Sequence, residues 1–141
     1  MMSETTSAYV LDTSALMAFI EEEAGFYIVE SILKEAEAGQ SIIFISFMTF
    51  MEIYYITLRE HDESEAKERL RFMKLLPTIR IDSTESQGIL AGNFKVKYHL
   101  STADAWIAAL AKQQNAILVH KDPEYEQVES EIKVLKLPYK N

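Results

Sequence analysis

Four acidic residues stand where their carboxylates could act together: Asp12, Glu52, Asp104 and Asp122. Asp12 and Asp122 each close a short apolar segment. Asp104 lies in the first turn of a predicted helix, and Glu52 lies two turns into another. Carboxylates that converge on one crevice repel one another, so they persist there only with cations between them. Oxygen ligands select Mg²⁺ or Mn²⁺ over Zn²⁺, and such ions can activate a water for in-line displacement at phosphorus. The four acids therefore predict metal-dependent hydrolysis of a phosphodiester.

Each aspartate also has a structural explanation. Asp12 could cap the helix that follows it. Asp104 lies three residues after Ser101, which is the spacing of a capping box, and Asp122 precedes Pro123, a common beginning of a turn. Taken singly, each aspartate is as well explained by such a role as by chemistry. Their joint placement carries the functional interpretation.

Glu52 is harder to explain as a structural residue. Its helix is apolar nearly all round, from Met48 to Ile56, so we expect the helix to be buried. An ionised carboxylate that is buried without a partner costs several kcal/mol. The sequence offers no evident lysine or arginine to pair with it. Glu52 therefore calls for a cation, a hydrogen-bond network or a raised pKa, and a functional role is favoured.

Short apolar segments alternate with helical patterns along the chain, which is typical of a parallel sheet covered by helices. We predict strands over Ala8–Leu11, Ile42–Ile45, Thr78–Ile81, Ala116–Val119 and Lys133–Leu135. We predict helices over about Thr13–Ile20, Gly25–Ala38, Phe47–Arg59, Ser64–Leu75, Ser83–Lys97 and Ser101–Gln114, with a cap at Ser46 and a loop over His120–Tyr125. The predicted fold class is α/β, with a central parallel sheet of four to five strands flanked by helices on both faces. In such sheets, ligands bind outside the carboxyl ends of the strands.

The composition fits one globular domain. The chain has 141 residues, of which 48% are apolar and 26% charged, and it has no cysteine, which excludes disulfides and thiolate metal sites. This is consistent with a cytoplasmic location. We predict a flexible lead-in over residues 1–7, with no signal peptide, and one domain over residues 8–141. The apolar run Ile42–Leu58 is too short for a membrane span and contains Glu52, so no membrane partner is expected.

The net charge of −8 argues against a general nucleic-acid binder, but not against an enzyme whose acids hold cations. Basic residues would still have to hold a phosphate backbone. The candidate contacts are Lys95, Lys97, His99, His120 and Lys121. Each of these is also explained as a solvated surface residue, and for His120 we favour a neutral spectator at the rim of the crevice. The cluster from residue 95 to residue 99 leads towards the site and is the best candidate.

Four motifs resemble those of PIN-domain ribonucleases, most closely the VapC-type toxins: VLDTSAL, FMEIYY, STADAWIAALA and LVHKDPEY. The resemblance covers almost the whole chain and implies a single PIN-like domain. It implies that the four acids form a site for Mg²⁺ or Mn²⁺, with Thr13 or Ser14 as the hydroxyl beside the first acid and Glu124 as a further acid. It also implies cleavage of RNA to products with a 5′-phosphate, a homodimer, and a small antitoxin as partner.

The sequence departs from this family at two places and leaves three alternatives open. His120 stands where threonine or serine is common, and Tyr125 stands where phenylalanine is common. The alternatives are an RNA-processing nuclease without an antitoxin, a PIN fold that only binds, and a receiver-like signalling domain. A receiver would need a phosphoacceptor at the end of the third strand, where Asp82 stands, and paired acids after the first strand, which are missing. The complete acid set disfavours a module that only binds.

Overall fold

A five-stranded sheet forms the centre of the structure, a computed structural model that describes residues 6–139. The strands are β1 (Ser7–Leu11), β2 (Ser41–Ser46), β3 (Ile79–Ile81), β4 (Ile117–His120) and β5 (Val134–Lys136). They lie in the order β3-β2-β1-β4-β5, and every neighbouring pair is parallel. The predicted parallel sheet is therefore confirmed, and β1 is its middle strand. Of the predicted lead-in, residues 1–5 lie outside the described residues, and Ser7 belongs to β1.

Six α-helices and one 3₁₀ helix connect the strands. They are α1 (Thr13–Ile20), α2 (Phe26–Glu37), α3 (Phe47–Glu60), α4 (Glu63–Leu75), α5 (Glu85–Lys97), α6 (Thr102–Gln113) and the 3₁₀ helix Pro123–Val128. The predicted caps are confirmed, because Ser46 accepts a hydrogen bond from the N–H of Met48 and Ser101 accepts one from Asp104. The predicted loop over His120–Tyr125 is wrong in its second half. Pro123 begins a helical turn there, because its fixed φ suits the first helical position and Asp122 caps the turn.

The two faces of the sheet carry separate hydrophobic clusters. Val10 belongs to a cluster with residues of α5, α6 and the 3₁₀ helix, whereas the next residue, Leu11, belongs to a cluster with residues of α1, α2 and α3. In β4, Leu118 belongs to the first of these clusters and Val119 to the second. This alternation follows from the pleat of a strand and confirms helices on both faces.

The expectation that α3 is buried all round is wrong. Met51, Tyr55 and Leu58 are between 43% and 51% exposed, while Ile53 on the opposite face is fully buried. Apolar composition does not say how many neighbours a helix has: α3 packs against α1, α4 and α6 and leaves the side with these three residues uncovered. Between residues 6 and 139, no helix is both long and apolar enough to cross a bilayer.

Replacing Gly25 with alanine is expected to lower the free energy of unfolding by about 2–4 kcal/mol. Gly25 has a φ of +99°, and a Cβ there would lie 3.1 Å from the Cβ of Leu137. Gly39 is the matched control, since its φ is +76° but nothing lies within 4 Å of the added Cβ. Gly39→Ala should lose only the backbone part, about 1 kcal/mol. Urea unfolding of both variants measures the difference, and equal losses would contradict a steric contribution from Leu137.

Candidate metal centre

The sheet topology brings the predicted acids together. β1 and β4 are neighbouring parallel strands, so their carboxyl ends open at the same edge, and the N–H of Asp12 donates to the carbonyl of Val119 at 3.1 Å. Asp104, in the first turn of α6, and Glu52, in α3, line the cleft at this edge of the sheet. The cleft that results has a volume of about 380 Å³ and is lined by Asp12, Thr13, Ser14, Glu52, Asp104, Asp122 and Glu124, among others.

Three of the acids are close enough to share one cation. Among residues 6–139, the carboxylate oxygens of Asp104, Asp122 and Glu124 lie within 4.8 Å of one another. Asp122 and Glu124 are held in one short turn, because the Asp122 side chain accepts a hydrogen bond from the N–H of Glu124 at 2.9 Å. Glu124, expected from the sequence only to support the site, is thus as close to a common point as the other two. Asp12 and Glu52 line the cleft but are outside this close set.

Asp12 combines a structural and an electrostatic role. Its carboxylate caps α1 by accepting from the N–H of Ala15 at 2.8 Å, and Ser14 donates to it at 2.7 Å. Asp12 is only 2% exposed, and this burial raises its pKa to about 8, with smaller contributions from the charges of Asp104 and Asp122. The hydrogen bonds oppose the rise without cancelling it. The capping explanation is therefore correct and does not exclude a site.

Glu52 is half-buried and hydrogen-bonded. Thr13 donates to its carboxylate at 2.5 Å. Burial raises the pKa of Glu52, and the charge of Asp122 raises it further. Within the described chain no lysine or arginine forms an ion pair with Glu52, so a simple salt bridge does not account for it.

The Asp104 carboxylate has a partner that sequence reasoning missed. Burial raises the pKa of Asp104 to about 7, and the charges of Asp122, Glu52 and Glu124 add to the rise. The hydroxyl of Tyr125 donates to Asp104 at 2.9 Å and opposes the shift. The tyrosine in LVHKDPEY was available as a signal, because a buried tyrosine hydroxyl needs a partner and acids are nearby.

The donor set fits a divalent cation of the Mg²⁺ or Mn²⁺ type. All the converging ligands are carboxylates, with no histidine or cysteine among them. The raised pKa values of Asp12, Glu52 and Asp104 mean that ionising these carboxyl groups in the cleft is unfavourable in free energy. A bound cation would offset this penalty.

The lysines predicted to contact substrate have partners within the protein. Lys121 is buried, its Nζ donates to the carbonyl of Ala24 at 2.8 Å and lies 3.6 Å from Glu23. Its backbone N–H donates to the hydroxyl of Ser14 at 2.9 Å, so Lys121 supports the site from within. The other two are also engaged: Lys95 donates to the Leu100 carbonyl at 3.0 Å, and Lys97 lies 3.5 Å from Glu131.

The two histidines predicted to contact substrate have different surroundings. His120 is fully buried, so its expected place at the rim of the crevice is wrong: the last residue of β4 points into the protein, beside the ring of Tyr125. Its Nδ1 accepts from the N–H of Asp122 at 3.1 Å, and burial lowers its pKa, which favours the expected neutral form. His99 is exposed, and its backbone is bound by the side chain of Gln127.

Solved toxin–antitoxin structures share this fold. VapBC2 from Rickettsia felis, bound to a DNA fragment from its promoter, is 17% identical with a TM-score of 0.75, over 93% of this chain and 99% of that one. DNA-bound VapBC from Salmonella typhimurium is 16% identical with a TM-score of 0.73, over 93% and 98%. VapC20 from Mycobacterium tuberculosis, a toxin that cleaves the sarcin–ricin loop, is 14% identical with a TM-score of 0.64, over 84% and 92%. At these identities the similarity shows the fold.

Sequence comparison supplies the family. No curated protein matches the chain. The profile of the PIN domain matches residues 9–131, a range that contains every acid of the cleft. The receiver-like alternative is thereby excluded, and the chain belongs to the PIN domain family.

Proposed function

We propose that this protein is an endoribonuclease that uses Mg²⁺ or Mn²⁺ to hydrolyse phosphodiester bonds of RNA. The observation that carries the proposal is the close set of Asp104, Asp122 and Glu124 in a cleft that also contains Asp12 and Glu52. Membership of the PIN family supports a nuclease, and the RNA-cleaving toxin VapC20 among its structural neighbours supports RNA as the substrate.

The residues divide by position. The ion would be held by Asp104, Asp122 and Glu124. Asp12, which lines the same cleft, would bind the ion directly or through a water molecule. A bound ion supplies a Lewis acid that lowers the pKa of a water and offsets the phosphate charge. Glu52, with its raised pKa, is suited to orient the attacking water and accept its proton.

Two hydroxyls support this arrangement from behind. Thr13 holds the Glu52 carboxylate and Ser14 holds the Asp12 carboxylate, each by a hydrogen bond. Attack by water on the side opposite the 3′ oxygen would leave the phosphate on the 5′ end of the downstream product. We propose that the protein acts in the cytoplasm.

Removal of divalent ions is expected to abolish cleavage of a structured RNA by the purified protein. EDTA should leave no products above background, and added Mg²⁺ or Mn²⁺ should restore products that carry a 5′-phosphate. Gel analysis of end-labelled RNA, with and without phosphatase, measures both. Cleavage that continues in EDTA would contradict the metal requirement. RNA binding without cleavage in any of these ions would favour a PIN fold that only binds.

An aromatic groove supports a small antitoxin as partner. It is lined by Phe19, Phe26 and Phe72, whose rings stack with centroids 5.1 Å and 6.2 Å apart. Its edge has three acids and one base, Glu22, Glu65, Glu68 and Arg69, of which Arg69 lies 3.7 Å from Glu65. An apolar groove with an acidic edge suits a basic segment with apolar side chains. The structural neighbours from Rickettsia felis and Salmonella typhimurium are VapBC structures, and VapBC is a family of toxin–antitoxin systems.

A stripe of exposed apolar residues on α3, Met51, Tyr55 and Leu58, supports a homodimer.

Replacing Phe72 with glutamate is expected to release a bound antitoxin. The variant should copurify at least tenfold less of a small protein that inhibits cleavage, because a carboxylate would enter the aromatic groove. Leu75→Glu is the matched control, since Leu75 is on the same helix, is 84% exposed and does not line the groove. Quantitative mass spectrometry of the copurified material compares them. Active wild-type protein that never copurifies with an inhibitor would favour the RNA-processing enzyme without an antitoxin.

A further inference from the structure

Tyr125 is a buried tyrosine in the same short turn as two of the clustered acids. Its ring is fully buried against the core that contains α6, and its backbone N–H donates to the carbonyl of Asp122 at 3.2 Å. The residue therefore has little freedom to move relative to Asp122 and Glu124. The turn carries two acids on its exposed side and a phenol on its inner side.

Packing alone does not explain the hydroxyl group of Tyr125. A phenylalanine would fill the same space, and a buried hydroxyl without a partner lowers stability. The partner is Oδ1 of Asp104, at 2.9 Å. Across residues 6–139, no other side chain donates a hydrogen bond to this carboxylate, and the other charged groups that line the cleft are all carboxylates.

An aspartate surrounded by like charges turns away from them unless it is held. The repulsion between Asp104 and the pair Asp122 and Glu124 favours rotation of the Asp104 side chain away from the common point. A hydrogen bond to Oδ1 from a fully buried ring opposes that rotation and leaves Oδ2 available. The turn thus provides two of the three candidate ligands and also sets the direction of the third.

We propose that Tyr125 is a positioning residue of the ion site, whose hydroxyl holds the Asp104 carboxylate in the orientation that receives a divalent cation together with Asp122 and Glu124. This inference rests on the proposed function for the identity of the ion. It requires no contact between Tyr125 and substrate. Tyr125 thereby differs from the acids, which act on the ion themselves.

Tyr125→Phe tests the proposal, because it removes one oxygen and keeps the ring. We expect Mn²⁺ affinity, measured by calorimetry, to fall about tenfold or more, the size of loss typical when a group that orients a metal ligand is removed. The Mn²⁺ concentration for half-maximal RNA cleavage should rise by the same factor. At saturating Mn²⁺, kcat should return to within about threefold of wild type, and KM for RNA should not change.

Tyr98→Phe is the matched control. The hydroxyl of Tyr98 also donates to a carboxylate, that of Glu131, but Tyr98 does not line the acidic cleft. Its variant should bind Mn²⁺ as wild type does. A second test combines Tyr125→Phe with Asp104→Ala, since alanine cannot accept the hydrogen bond from Tyr125. If the hydroxyl acts through Asp104, its removal should have no further effect on Mn²⁺ affinity once Asp104 is alanine.

Three results would overturn the positioning role. They are unchanged Mn²⁺ affinity in Tyr125→Phe, an equal loss in Tyr98→Phe, and no Mn²⁺ binding by the wild-type protein. A wild-type protein that binds Mn²⁺ but cuts no RNA would overturn the ribonuclease proposal alone. A tenfold affinity difference between wild type and Tyr125→Phe would still support positioning in that case. Urea unfolding without ions confirms that each variant is folded at the time of measurement.

Discussion

Asp104→Asn is expected to lower the rate of RNA cleavage at saturating Mg²⁺ by about a thousandfold or more, and to make the ion-free protein more stable. The loss of activity corresponds to about 4 kcal/mol of transition-state stabilisation, a size that fits removal of a charged ligand from a metal site. Asparagine keeps the shape of the side chain and can still accept the hydrogen bond from Tyr125. The change therefore removes the charge and little else.

The same substitution is expected to lower activity but raise stability, because the charge of Asp104 is unfavourable in the ion-free fold. Its pKa is raised to about 7, so at pH 8 the folded protein holds an ionised carboxylate against burial and three other acids. A neutral side chain should raise the free energy of unfolding in EDTA by about 1–3 kcal/mol. Asp82→Asn is the control, since Asp82 is exposed and pairs with Arg80. Cleavage by Asp104→Asn within about tenfold of wild type would contradict the proposed site.

Without divalent ions, the protein is expected to lose stability as the pH rises from about 4 to about 8. The pKa of Asp12 is 3.8 in the unfolded chain and about 8 in the fold, because of burial. Between these values the unfolded chain releases the proton that the folded protein keeps, so raising the pH favours unfolding. The slope for one such group is at most about 1.4 kcal/mol per pH unit, and it ends above the folded pKa. Asp104 adds to the same slope up to about pH 7.

Divalent ions should reverse this trend, because ions bind the deprotonated carboxylates that become available as the pH rises. An ion at a hundred times its dissociation constant adds about 2.7 kcal/mol to the stability of the folded state. Urea unfolding from pH 5 to pH 9, in EDTA and in Mn²⁺, measures both curves. Asp12→Asn should flatten the EDTA curve, since asparagine also caps helices but does not titrate. A wild-type curve in EDTA that is flat or rises over this range would contradict the pKa of Asp12.

Local patterns predicted the elements of the fold and the positions of the acids, because both depend on neighbouring residues. The caps at Ser46 and Ser101 are contacts over two or three positions, and the strands are short apolar runs. Parallel pairing then placed Asp12 and Asp122 at the same edge of the sheet. The order of the strands could not be obtained in this way, because it depends on which long connections cross which face.

The residues that were missed or misplaced depend on contacts distant in sequence. Lys121 reaches the Ala24 carbonyl only because the chain after β4 meets the α1–α2 turn. His120 is buried beside the rings of Tyr125 and Tyr139, the second of them 19 positions away. Tyr125 reaches Asp104 across 21 positions, from a turn that the sequence suggested was a loop. The burial of α3 was mispredicted for the same reason, because the residues that cover a helix are distant in sequence. Periodicity shows which side of a helix is apolar but not how many of its sides are covered.

The central place of β1 has a consequence for protein synthesis. Ser14 and Lys121, which share a hydrogen bond, are 107 positions apart, and β1 finds its second neighbour only when β4 has emerged from the ribosome. A nascent chain can pair β1 with β2 early, but it contains neither Asp122 nor Glu124 until nearly all of the matched PIN region has been translated. Translation products that end before Asp122 therefore lack two of the three proposed ion ligands. The proposed nuclease activity would therefore arise only in chains that have been translated past Glu124.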